Sequence, residues 1–197
     1  MDIDWEVEIG GDAPVIDVDW PGFIDLRSHP ERIDEITEAA TCAPLKDLLV
    51  ELNSSDSPVW TSKCDRWEPD TGSIACYIDL LPREPNQFAV WTDAENFCRA
   101  VVDRIMRKAG QLPGDMRRAI WASSETDEDT SVTLVVRQVA GHTNHKFAIT
   151  AYLSAENSSL AEAVSSLQSA MTCLSNAILA QGIHESSDSK LIEIRGE

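Results

Sequence analysis

Apolar and acidic residues alternate strictly at the start of the chain, where Asp2, Asp4, Glu6 and Glu8 interleave with Ile3, Trp5, Val7 and Ile9. A period of two is the pattern of a strand with one buried and one wet face. Gly10 and Gly11 supply a turn that tolerates positive φ, so the pattern predicts a hairpin returning through 15–20. The register that collects one apolar face sets Trp5 opposite Ile16 and Ile3 opposite Val18. It also sets Asp4 opposite Asp17 and Asp2 opposite Asp19, and like charges directly opposed are unfavourable, so this face needs cations, water or a basic neighbour.

Two short helices follow. Ser28 is a candidate cap with Pro30 in the first turn and Glu31 at capping-box spacing, leading into Ile33 and Ile36; Pro44 opens a second helix with Leu45, Leu48, Leu49 and Leu52 on one side. The polar connector 53–58 divides an acidic N-terminal lobe, 1–53, from a main α+β domain, 58–197, on which the lobe is expected to pack. A second hairpin joins 59–67 to 73–81. Centring its turn on Asp70 opposes Cys64 to Cys76, Trp60 to Leu80 and Ser62 to Ile78, and leaves Thr61, Lys63, Asp65, Tyr77 and Asp79 on the other face.

Thr92 and Glu95 form a capping box for a helix over about 92–109, whose apolar residues Phe97, Cys98, Val101, Val102 and Ile105 keep helical spacing up to Gly110. A short strand at 116–123, an acidic loop at 125–130 and a hairpin of 132–139 with 147–153 come next. The last clear element is a helix over about 159–181, with Leu160, Val164, Leu167, Met171, Leu174 and Ile178 in one seam, a Ser159/Glu162 cap and a stop at Gly182. The segment 191–194 is an edge strand or a tail. This order predicts a mostly antiparallel sheet with two long helices packed on one face.

Composition narrows the function classes. In 197 residues, 34 Asp and Glu stand against 16 Lys and Arg, a formal charge of -18, while 43% of residues are hydrophobic. The chain has the means to build a core, and its charge argues against a general grip on nucleic acid or anionic lipid. The acidic start has neither the basic nor the apolar part of a targeting signal, and no apolar run reaches the roughly 20 residues of a membrane span. Five cysteines without framework spacing fit a reducing compartment, so cytoplasmic residence is expected. The acid is uneven: residues 1–40 carry a charge of -10, whereas 99–118 carry +4 through Arg99, Arg104, Arg107, Lys108, Arg117 and Arg118 against Asp103 and Asp115.

Four groups of residues have chemical potential. Cys64 and Cys76, with Lys63 and Asp65 beside them, read as core packing, as a redox or nucleophilic pair, or as a soft-metal site. Lys63, on the opposite strand face, is poorly placed to activate Cys64. His142 and His145 in a hairpin turn offer two metal ligands but lack the rest of a site, and Asp127, Glu128 and Asp129 lack the glycine and terminal glutamate of a calcium loop. The basic stretch reads as the solvated side of a helix, a dock for the acidic N-terminal strands, or a partner site. Trp67 and Tyr77 suggest a wet aromatic surface flanked by acids, suited to a partner chain or a cationic group.

No glycine-rich phosphate loop, nucleophile elbow, zinc-protease helix or dinucleotide fingerprint occurs. Small acidic secretion chaperones share this acidity, size and mixed element order, a likeness of composition and order alone. The leading expectation is a small acidic binding or adaptor domain without catalysis and without a cofactor. It would contact a protein partner or a second copy through Trp67, Tyr77, Arg104, Arg107 and Arg118, with no nucleic acid and no membrane. The competing expectation is a thiol-dependent enzyme or redox protein centred on Cys64 and Cys76.

Overall fold

The computed structural model describes residues 1–18, 20–108, 129–141 and 144–188. Six strands form one sheet: β1 (Asp2–Glu8), β2 (Val15–Asp17), β3 (Val59–Trp67), β4 (Ser73–Pro82), β5 (Asp129–Ala140) and β6 (Phe147–Glu156). Their order is β1-β5-β6-β4-β3, with β2 also paired to β5. A 3-10 turn at Pro30–Glu35 leads into α1 (Thr37–Ala40) and α2 (Ala43–Leu52), and the long helices are α3 (Trp91–Lys108) and α4 (Leu160–Asp188). The fold is α+β, as the element pattern predicts. The expected strand at 116–123, most of the acidic loop at 125–130 and the segment 191–194 lie outside the described residues.

All the longer helices lie on one face of the sheet. Alternation in the central strands turns Ile74, Cys76, Ile78 and Leu80 of β4, Val132, Leu134 and Val136 of β5, and Ile149, Ala151 and Leu153 of β6 toward that layer. There they form one core with Leu45 and Leu49 of α2, Val101 of α3 and Leu167 and Leu174 of α4. Burying a side chain of this size contributes roughly 1.5–3 kcal/mol, so the shared core couples 1–53 to the rest through α2 and β1.

The element at Pro30–Glu35 is a 3-10 helix whose N-cap is His29, without the expected side-chain cap from Ser28. Four further local expectations need correction. First, β1 and β2 do not form a hairpin with each other. Both run parallel to β5, β1 along Ser131–Arg137 and β2 along Gln138–Ala140, so the sheet is mixed. Gly10, at φ 141°, supports a jog in the chain where the sequence suggested a reversal, with Ala13 N–H donating to the Gly10 carbonyl at 3.3 Å. This arrangement never opposes Asp4 to Asp17, and it places Ile3 in the core on the helix side.

Second, the β3–β4 register runs two residues away from the predicted one beyond Lys63 and carries an irregularity between Thr61 and Lys63. Cys64 therefore faces Ile78, Arg66 faces Cys76, and Trp60 faces Leu81. One extra residue in a strand reverses which face its neighbours occupy. Trp60 consequently joins Ile16, Leu81 and Ala148 on the side away from the helices, whereas Thr61 bonds Asn53 of the α2 terminus.

Third, α3 starts one residue before Thr92, and Asp93, not Glu95, reaches back to the Val90 N–H at 3.2 Å. Fourth, Gly182 does not end α4, which continues to Asp188. A Cβ at Gly182 would approach the Asp56 carbonyl at 3.1 Å, so glycine serves there as the close contact between α4 and the connector. The Ser159/Glu162 cap forms as expected, with the Glu162 N–H donating to Ser159 Oγ.

Candidate functional site

The helix-free face of the sheet has two parts. At one end the segment carrying Ile16, Val18 and Phe23 covers Trp60, Leu81 and Ala148. Arg27, held by Asp25 at 2.8 Å, lies 3.8 Å above the Trp60 ring, and His145 meets the same ring edge-on at 5.9 Å. Burial and the nearby Arg27 charge lower the pKa of His145. The predicted partner of that histidine, His142, lies outside the described residues. Among those residues no group of three or more His, Cys, Asp or Glu is arranged to hold a metal ion.

Toward the other end the face is open. Cross-strand registers bring Asp65, Tyr77, Tyr152, Thr133 and Asp4 into one row across five strands, and Trp67, Ala75, Ser154, Ser131 and Asp2 into the next. Trp67 and Tyr77 lie 6.5 Å apart, and Tyr77 and Tyr152 6.0 Å apart, in tilted ring contacts. Trp67 is 42% exposed. The result is an aromatic and hydroxyl floor with Asp2, Asp4, Glu6 and Glu8 along one margin and Asp65 along the other.

Two cations are built into this floor. Lys63 stands 6.0 Å from the centre of the Tyr77 ring, and the Tyr77 hydroxyl, followed by nearby carboxylates, raises the Lys63 pKa. Arg137, directly across from Glu8 in the register, bonds it at 2.7 Å and lies 5.5 Å from the Tyr152 ring. Between them Asp79 is buried. Desolvation raises its pKa, opposed by a 2.7 Å hydrogen bond from the Thr150 hydroxyl and by the charges of Arg137 and Lys63. Arg137 thus supplies a counter-charge to Glu8 at the end of the acidic first strand, and an arginine within the β-branched stretch 132–139 was its sequence signal.

The remaining expected site residues are dispersed. Arg104 and Arg107 are exposed on α3, in the helix layer, and so sit across the sheet from Trp67 and Tyr77. Arg107 bonds the Asp103 carbonyl within its own helix. Arg99 pairs with Glu95 at 3.0 Å and lies 5.3 Å from the ring of Trp5, the point where α3 meets β1. Arg117 and Arg118 are outside the described residues.

The five cysteines are free thiols. Cys64 and Cys76 share the helix-side face but are not directly opposed; burial pushes each up to about 12, helped at Cys64 by nearby carboxylates and at Cys76 by the neighbouring thiols of Cys42 and Cys64. A thiol held that high supplies little thiolate at neutral pH, which removes the electronic advantage a nucleophile needs. No protein-family model, no curated protein and no solved structure matches this chain.

Proposed function

We propose that this chain is a non-catalytic protein-binding domain of the cytoplasm whose contact surface is the open part of the helix-free sheet face. The observation that carries the reading is the cluster of Trp67, Tyr77 and Tyr152, partly exposed on a five-strand platform and bounded by carboxylates. Tyrosine and tryptophan give large contact area at low entropic cost, which is why they concentrate at binding hot spots. The acidic margins favour a partner with basic residues, by steering and by selecting against acidic competitors.

The thiol reading has less support, because Cys64 and Cys76 are offset in register and held protonated by burial. The test is affinity purification of the tagged full chain from its own cells, in parallel with a Trp67→Ala/Tyr77→Ala double variant. Loss of the co-purifying partner from a variant that keeps the wild-type unfolding transition is the expected result. Equal recovery from both would overturn the assignment of the surface.

A further inference from the structure

The outer side of β3 has no further strand among the described residues, and a cavity of about 360 Å³ lies against it. Its wall includes the consecutive residues 61–65 and side chains from both faces of the strand, Tyr77 on one and Leu49 on the other. The cavity therefore wraps the strand's backbone edge. Trp20, Ile24 and Ile36 form an apolar side across from that edge, and Glu38 and Asp65 bring carboxylates.

The edge is partly used at two points. The Trp20 indole N–H donates to the Ser62 carbonyl at 3.2 Å, and the Arg66 N–H is taken by the carboxylate of Asp65 at 2.7 Å. Backbone groups of an antiparallel strand alternate in direction, so with the Arg66 N–H outward the N–H and C=O of Cys64 face outward too. Ser62, only 4% exposed, also lines the cavity, and its hydroxyl has no hydrogen-bond partner among the described residues. A buried hydroxyl without a partner costs free energy that an incoming polar group can recover.

We propose that this groove takes an extended, basic segment of the partner protein, which adds to β3 through the Cys64 backbone and seats one Lys or Arg side chain between Glu38 and Asp65. Strand addition draws affinity from main-chain bonds and specificity from alternate side-chain pockets. The same two carboxylates are among the groups that raise the Cys64 pKa, a sign of the negative potential in the groove, after the larger effect of burial. Lys63, also on the wall, is turned to Tyr77 on the open face, and Glu35 is engaged by Arg32 at 2.7 Å. The inference rests on the protein-binding reading and names the chemistry and geometry of the partner.

The test is amide NMR of the full chain titrated with a capped hexapeptide, Thr-Arg-Val-Arg-Val-Thr, and with its Glu-for-Arg counterpart. The expected result is saturable shifts at 62–66, slowed exchange of the Cys64 N–H, and at least tenfold weaker response to the acidic peptide. Glu38→Gln/Asp65→Asn, changes at a half-buried and an exposed position that keep side-chain size, should weaken the basic peptide about tenfold. Equal response to both peptides, no response at millimolar peptide, shifts confined to Trp67 and Tyr152, or pairing of β3 with a second copy would each overturn the groove. If the groove fails while Trp67→Ala/Tyr77→Ala still loses the partner, the binding domain stands and only its partner geometry is wrong. If neither effect appears, both are wrong.

Discussion

The same strands present two different faces, one sealed into the core and one left partly open. On the helix side, Ile78, Leu80, Leu134 and Ile149 are at most 1% exposed and continuous with the cores of three helices. On the other side, Trp60 is sealed by the segment around Ile16 and Phe23, while Trp67, on the same strand and face, stays open. The difference between these tryptophans is coverage, not strand chemistry. Exposed aromatics on an ordered platform carry a cost in solubility, and the proposed binding role rests on that feature.

The contrast can be broken most directly by truncating the two rings separately. Trp60→Ala should cost about 3–5 kcal/mol in urea unfolding, because it empties a packed site that also holds Arg27 and His145. Trp67→Ala should stay within about 0.5 kcal/mol. Comparable losses at both would mean that the open face is structural.

A smaller effect is expected at the charged floor. Arg137→Met removes the partner of Glu8 and a counter-charge of Asp79, and should cost about 1–2 kcal/mol. That loss should shrink at high salt, since Glu8 is partly exposed. A salt-independent loss would assign the role of Arg137 to packing on Tyr152.

The smallest effect is a change of slope with pH. Asp79 has a folded pKa raised above its ordinary 3.8, so above that value the folded state binds more protons than the unfolded state. Its contribution to stability therefore falls as pH rises from about 4 through the raised value. Asp79→Asn should remove this decline and leave the rest of the pH profile intact. A wild-type contribution that rises over the same window would show that Arg137 and Lys63 dominate desolvation.

Helix existence and fold class were legible because they depend on local periodicity and caps, as in the Leu160 to Ile178 seam and the Ser159/Glu162 box. The open face was legible in part: Trp67 and Tyr77 lie on it as their alternation implied, but Tyr152 and Arg137 come from strands whose neighbours are set by long-range pairing. Trp60 was assigned to the wrong face because a single extra residue near Ser62 inverts parity, and nothing in 59–67 marks it. The parallel placement of β1 and β2 on β5 was likewise hidden, since Gly10 and Gly11 serve a jog and a reversal equally well. The cysteine pairing failed with the same register.

The most direct measurement places a photo-crosslinking phenylalanine at Thr133, within the aromatic row, and separately at Thr172, on the exposed side of α4. Captured partner should be found at Thr133 and not at Thr172, and should diminish when Trp67→Ala/Tyr77→Ala is added. Capture at Thr172 alone, or capture at Thr133 that survives loss of both rings, would contradict the assignment of recognition to the helix-free face.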